Sequence, residues 1–268
     1  STDNLTSKST LELKINLTAG TAVGDVLLLQ KMNGNQVLST GTPVELNAGD
    51  LTNGVSFSLS NLADAQHTYR AVVRDAAGNS STSSSLTITV DTTAPATPVV
   101  SLVSDTGSNT TDKITSNSAL DVTQESGALV QYRANDASDW TTVPAVVEGS
   151  NSLQVRQIDA AGNASDVTSF SFTLDTTADA GDVAAVVLTL NKVEQANQDK
   201  VPFSITGLDV DATGILVFTS NAAVSTPVEL TVTGNGEGFT ADLSALADGL
   251  ISVVLRITDA AGNTIDRP

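Results

Sequence analysis

The residues best equipped for chemistry in this chain are its aspartates. The 268 residues hold 30 acidic side chains against 12 Lys and Arg, a formal charge of −18, and 23 of the 30 acids are Asp. Asp favours turns, where its short carboxylate accepts backbone N–H groups, and it is a compact oxygen ligand for hard cations. Much of it is periodic. Asp75-Ala76-Ala77-Gly78-Asn79 recurs as Asp159-Ala160-Ala161-Gly162-Asn163 and as Asp259-Ala260-Ala261-Gly262-Asn263, at intervals of 84 and 100 residues. Asp91-Thr92-Thr93-Ala94 recurs as Asp175-Thr176-Thr177-Ala178, each copy 16 residues after the preceding five-residue motif. A third match aligns Thr2-Asp3-Asn4-Leu5-Thr6-Ser7 with Thr111-Asp112-Lys113-Ile114-Thr115-Ser116, and Leu11 and Leu13 then fall on Leu120 and Val122.

Other chemistries are poorly supplied. Without cysteine there is no disulfide, zinc–thiolate site or thiol nucleophile, and the single histidine, His67, removes most triad and metal-hydrolase arrangements. The acidity argues against nucleic acid and against a polybasic membrane anchor. No apolar run is long enough to span a membrane, and Ser1, Thr2, Asp3 and Asn4 show no signal-peptide pattern. Aromatic residues are only 3% of the chain, so its apolar content suits thin sheet cores better than ligand pockets. No enzyme activity is expected.

The motifs need a scaffold, and the repeat defines one. It divides the chain into 1–91, 92–175 and 176–268. Leu11, Leu13, Ile15 and Leu17 alternate with polar residues, as do Leu86, Ile88 and Val90, and Phe170, Phe172 and Leu174. Period two with one apolar face predicts antiparallel sheets around a shared core. In the middle unit strands are expected near 97–103, 118–123, 128–134, 139–147 (broken at Pro144), 152–158 and 169–174. That density of short strands predicts an all-β chain of tandem immunoglobulin-like β-sandwich domains in an extended rod. Only Leu243 to Ala247 has a helical composition, and it is too short to stand alone. The first domain apparently lacks its first strand, since nothing precedes Thr2 that could supply it, and the third apparently lacks its last, since only five residues follow Asn263.

Asp-Ala-Ala-Gly-Asn followed by Asp91-Thr92-Thr93-Ala94-Pro95 resembles the tandem bacterial Ig-like repeats of giant surface adhesins, among them the RTX adhesins exported by type I secretion. Asp105-Thr106-Gly107, Leu62-Ala63-Asp64 and Leu246-Ala247-Asp248-Gly249 fit the same pattern, while Asp179 stands where proline follows in the first copy. The resemblance implies an extracellular bacterial cell-surface protein, a monomeric extender stiffened by Ca2+ whose partners are the neighbouring Ig-like domains of its own chain. The alternatives are a ligand-proximal module taking a glycan or protein surface, or an accessory module of a secreted hydrolase.

Topology says which aspartates could share a cation. Asp159 and Asp175 flank one strand and stand roughly 20–25 Å apart at ~3.3 Å per residue, too far for one ion. In a sandwich of this kind the last hairpin lies at the N-terminal end of its domain. The first junction should therefore gather Asp91, Asp159 and Asp3. The second should gather Asp175, Asp259 and the loop carrying Asp105 and Asp112, with Asp209 or Asp211 as further ligands. The competing account is that each aspartate simply closes its own turn or caps a linker.

Three other features have plainer readings. Asn135-Asp136-Ala137-Ser138-Asp139-Trp140 reads as a hairpin turn that sets the only tryptophan against a sheet, or else Trp140 with Tyr132 forms a sugar-stacking platform. His67 is expected as an exposed strand residue. Gly234-Asn235-Gly236-Glu237-Gly238 has neither the lysine nor the helix of a phosphate loop and reads as a hairpin.

Overall fold

A computed structural model of the chain describes residues 3–178, 193–194 and 196–268, and the backbone of 185–188. Asp179 lies outside these residues. The first repeat contains β1 (Leu5–Thr6), β2 (Leu11–Ile15), β3 (Val26–Asn33), β4 (Gln36–Thr40), β5 (Val44–Glu45), α1 (Ala48–Asn53), β6 (Val55–Leu59), β7 (Ala65–Arg74), β8 (Ser80–Thr82) and β9 (Leu86–Val90). The second contains β10 (Val99–Leu102), β11 (Ile114–Thr115), β12 (Leu120–Thr123), β13 (Leu129–Arg133), β14 (Gly149–Ile158) and β15 (Thr168–Leu174). The third contains β16 (Ala185–Leu188), β17 (Val201–Thr206), β18 (Thr213–Ser220), β19 (Val228–Thr233), β20 (Gly236–Ala241), β21 (Ile251–Thr258) and β22 (Thr264–Arg267).

Each repeat has two sheets. In the first, β1-β9-β7-β3-β4, with β5 on β3 and β8 on β7, faces the pair β2-β6 across Leu27, Leu46, Val55 and Ala71. In the second the sheets are β10-β12 and β11-β15-β14-β13, with Leu153, Val155, Phe170 and Phe172 buried. In the third, β16-β17-β20 and β19-β18-β21-β22 enclose the largest core, where Phe203 meets Phe218 edge-on and stacks on Phe239. The expected all-β sandwich class is what forms, because alternating apolar residues give each sheet one face to bury.

By compactness the described chain forms two units, one of Ser1–Pro98, Gln124–Gln131 and Arg156–Val167, the other of Val99–Thr123, Tyr132–Val155 and Thr168–Pro268. The middle repeat is thus shared between them. The linker 91–98 and the turn 159–163 fall inside the first unit. The linker 175–178 and the turn 259–263 fall inside the second.

Two local expectations are corrected, and one short helix is added. No strand forms over 139–147: Thr141 makes one bridge to Tyr132, and the Asn151 side chain bonds Val147 N–H and the Val147 and Gly149 carbonyls, replacing a ladder. Leu243 to Ala247 forms no helix, as its shortness predicts, while a helix without a signal in the apolar pattern forms at Ala48–Asn53. Asn47 caps it by accepting from Gly49 and Asp50 N–H while Asp50 accepts from Asn47 N–H, a reciprocal cap that sustains six residues. His67 is buried, at 7% exposure, with its Nε2 bonded to the Ala63 carbonyl at 2.8 Å. After Asn263, β22 pairs antiparallel with β21, as β8 does with β7.

Candidate functional site

The Asp-Ala-Ala-Gly-Asn motif folds the same way three times. Glycine takes the left-handed conformation, with φ of 90°, 94° and 85° at Gly78, Gly162 and Gly262. Its N–H donates to the carbonyl of Asp75, Asp159 or Asp259. The Asn N–H donates to one oxygen of that Asp carboxylate and the Asn Nδ2 to the other, at 2.8 and 2.8 Å for Asn79, 2.8 and 2.7 Å for Asn163, and 2.8 and 2.7 Å for Asn263. The aspartate closes its own turn in every copy.

Each Asn amide has a second hydrogen, and in two copies it reaches a linker. Asn163 Nδ2 donates to the Asp91 carbonyl at 2.8 Å, and Asn263 Nδ2 donates to the Asp175 carbonyl at 2.9 Å. The next residues of each linker are held by a carboxylate 28 positions before Thr92 or Thr176. Asp64 accepts from Thr92 N–H, Thr92 Oγ1 and Thr93 Oγ1, at 2.8, 2.7 and 2.6 Å. Glu148 accepts from Thr176 N–H and Oγ1, at 2.9 and 3.0 Å. The linker aspartates accept from Thr93 and Thr177 N–H.

A strand end completes each site. Asp91 N–H donates to Thr6 O where β1 runs parallel to β9, and Asp175 N–H donates to Thr115 O where β11 runs parallel to β15. Asp3 and Asp112 start those strands by accepting from Leu5 and Ile114 N–H, and Asn4 and Lys113 take positive φ of 57° and 62°. The third sequence match is therefore a structural equivalence.

The surroundings of the two sites differ. At the first, Gln157 Nε2 donates to Ala96 O. Burial pushes the Asp159 carboxyl up, but the bonds from Asn163, Gly162 and Ala161 outweigh it, and the group sits below the usual carboxylate range. Asp64 is lowered by the hydroxyls of Thr93 and Thr92 and by Thr92 N–H. At the second, Asp175 is raised, first by burial and then by the charges of Asp259, Asp211 and Glu148, against the lowering bond from Thr177. Thr106 Oγ1 donates to Ala261 O, and a side chain at Gly107 (φ 89°) would put its Cβ 1.9 Å from Ala260 O.

Among the expected ligands, Asp91 and Asp159 meet at Asn163, and Asp175 and Asp259 meet at Asn263 with Asp211 in electrostatic reach. Asp105 Oδ2 accepts from Lys113 N–H on the loop that Asp112 also serves, and Asp105 Oδ1 is buried without a hydrogen-bond partner. Among the described residues, no group of three or more His, Asp and Glu side chains converges on a metal-sized space. The oxygen donors suit a hard cation in chemistry.

Sequence reasoning missed Glu148 and the amides of Asn163 and Asn263. The equal 28-residue spacing of Asp64 to Thr92 and Glu148 to Thr176 was the available signal. Trp140 lies in a hairpin turn with the Arg133 guanidinium 4.4 Å above its ring, so one face of the candidate sugar platform is covered.

These features define a tandem β-sandwich protein whose linkers are bonded at their start by both flanking repeats. Residues 1–92 match the family model of the bacterial Ig-like domain. Among solved structures, the chain is similar to a tetra-tandem repeat in the extending region of a large adhesion protein, at 20% identity over 100% of this chain and 70% of that one, with a TM-score of 0.30. It is similar to a structure of a 1.5-MDa bacterial ice-binding adhesin, at 22% identity over 97% and 88% of the two chains, with a TM-score of 0.35. A third similarity is to fibronectin(III)-like modules of Clostridium thermocellum CbhA, at 14% identity over 62% and 86%, with a TM-score of 0.35. No curated protein matches the chain. Among the described residues no helix is long and apolar enough to cross a membrane.

Proposed function

We propose that this chain is a structural extender of a bacterial surface adhesin, acting outside the cell and without enzymatic activity. The observation that carries this reading is the double clamp. Each linker is bonded by a carboxylate of the repeat before it and an Asn amide of the repeat after it. A flexible tether would need neither, because ordering a linker costs conformational entropy that only bonds of this kind offset.

Ca2+ is the proposed stiffening ion. Asp175 and Asp259 would hold it at the second junction, with Asp211 and the loop of Asp105 and Asp112 nearby, and Asp91, Asp159 and Asp3 would serve the first. Support comes from the raised Asp175 carboxyl beside three like charges. At an effective dielectric near 20, close carboxylates repel by a few kcal/mol per pair, which a divalent cation reverses. The test is calorimetric titration with CaCl2 beside small-angle scattering with and without EDTA. Heat of binding together with a narrower distribution of dimensions is expected. No heat and an unchanged radius of gyration would overturn the role of Ca2+.

A further inference from the structure

Asparagine is followed directly by glycine at Asn33-Gly34, Asn53-Gly54 and Asn235-Gly236. Such a pair is reactive: the glycine nitrogen, with no Cβ beside it to shield it, can attack the asparagine Cγ and close a five-membered imide as ammonia leaves. The reaction needs a free side-chain amide, a free glycine N–H and a backbone able to bend until the two meet. The fold decides which pair has all of these.

Asn235 lacks the free amide. Its Oδ1 accepts from Leu208 N–H and its Nδ2 donates to the Leu208 carbonyl, both at 2.7 Å, and Gly236 is held in β20 opposite Ile205 of β17. Asn53 lacks the free N–H. It ends α1, where Gly54 N–H donates to the Asp50 carbonyl at 2.8 Å. The backbone there is also confined, since a Cβ added at Gly54 would lie 2.6 Å from the Ile15 carbonyl oxygen.

Asn33 meets every requirement. It closes the hairpin between β3 and β4 opposite Gln36. Gly34 takes φ of 56° while Asn35 keeps a negative φ, the pattern of a type II′ turn, whose closing bonds leave the first central N–H unused. Asn33, Gly34 and Asn35 are exposed, and a Cβ added at Gly34 would meet nothing within 4 Å. Among the described residues no group bonds the Asn33 side-chain amide. The hairpin is also weakly held, because every residue of β4 is exposed and β4 pairs with β3 alone.

We propose that Asn33 is a site of spontaneous deamidation, a modification that consumes water and needs no enzyme. Gly34 N bonds to Asn33 Cγ, the Cγ–Nδ2 bond breaks, and ammonia departs with the proton that Gly34 N gives up. Water then opens the imide. Attack at Cγ leaves aspartate, and attack at the Asn33 main-chain carbonyl carbon leaves isoaspartate, whose main chain is one carbon longer. Either product adds a negative charge. The longer chain breaks the match of Asn33 with Gln36, so β4 comes away from β3 and uncovers Met32, 5% exposed and paired with Val37. An uncovered strand edge is a template for pairing with another strand. The first repeat therefore carries an ageing site at one hairpin, whether or not the chain is a spacer.

The test ages the folded 268-residue chain at mildly alkaline pH beside a sample in urea, and locates deamidation by peptide mass and fragmentation. In the folded chain Asn33 should react at least about tenfold faster than Asn53 and Asn235, and in urea the rates should converge. The aged chain should lose amide protection along β4 and at Met32 while β7 and β9 keep theirs. Asn33→Gln, whose longer side chain closes the imide far more slowly, should abolish both effects. A fresh Asn33→Asp chain should keep β4 protected, which separates the added main-chain carbon from the added charge. No reaction at Asn33, or reaction at Asn53 or Asn235 as fast in the folded chain, would overturn the site. Loss of β4 protection in fresh Asn33→Asp would overturn the isoaspartate route to its release.

Discussion

The two junctions are built on one plan and carry opposite electrostatics. Both bond the linker carbonyl through an Asn amide, and both hold the linker threonines with a carboxylate 28 residues earlier. At the first, hydrogen bonds dominate and hold Asp64 and Asp159 below the usual carboxylate range. At the second, burial and three neighbouring acids push Asp175 above it. The clamp therefore travels with the repeated motif. The charge balance at Asp175 is set by its burial and then by Asp259, Asp211 and Glu148. A proton has more to gain at the second junction than at the first.

The largest effect that separates them is steric. Gly107→Ala forces a Cβ to 1.9 Å from the Ala260 carbonyl at a φ of 89°, and no flexible side chain is available to give way. A loss of about 2–4 kcal/mol is expected in urea unfolding, with faster amide exchange at 259–263 and none at 159–163. The matched change Gly162→Ala meets only the strain of its φ of 94° and should cost about 1–2 kcal/mol. Equal costs would mean that Thr106 and Gly107 add nothing to the second junction.

Next come the amides. Asn163→Ala and Asn263→Ala each strip both hydrogen bonds from one side chain and leave a part-buried linker carbonyl unpaired, for about 1–3 kcal/mol each by thermal or urea unfolding. Asn79→Ala removes the bond to Asp75 and should cost less. A cost as large as at Asn163 would show that closing the turn, and not holding the linker, is what these residues are kept for.

Much of this plan was legible in the residues, and the gaps have physical causes. The three turns could be located because Asp, Gly and Asn at fixed positions are a local requirement: a positive φ and a side chain that bonds its own backbone. The sandwich followed from period-two alternation. What could not be read was which groups bond across long separations. Glu148 has no local signature, since its partner Thr176 lies 28 residues away. The strand expected over 139–147 failed because Asn151, buried in β14, takes its polar groups instead of a neighbouring strand. His67 is buried because the Ala63 carbonyl four residues earlier satisfies its ring, a bond that alternation does not reveal. The short helix escaped because its signal is the cap, Asn47 with Asp50, and not an apolar stripe.

Acid should act in opposite directions at the two junctions. Asp175 has a folded pKa above its ordinary 3.8, so the folded state binds more protons than the unfolded chain between the two values. Stability at the second junction then rises as pH falls through the raised pKa, and stops rising below 3.8. Asp64 and Asp159 have folded values below 3.8, so their contribution is present above 3.8 and is lost as pH falls through the lowered values. Site-resolved exchange at turns 159–163 and 259–263, followed from pH 7 downward, reads both. Parallel losses at the two turns would break the comparison.

The smallest expected effect separates charge from hydrogen bonding within the same carboxylates. Raising salt to about 1 M shortens the Debye length to ~3 Å and screens charges that act through solvent, but leaves short hydrogen bonds intact. Asp175 owes part of its elevation to Asp259, Asp211 and Glu148, so its pKa should move down with salt toward the ordinary value, with the part due to burial remaining. Asp64 owes its lowered value to Thr93 and Thr92, which donate at 2.6 to 2.8 Å, and should hardly move. Carboxyl 13C titrations at low and high salt measure both in one sample. A salt-insensitive Asp175 would place its whole shift in burial. A strongly salt-sensitive Asp64 would mean that its bonds to the linker threonines are looser than their distances state, and that the first junction is the more pliable of the two.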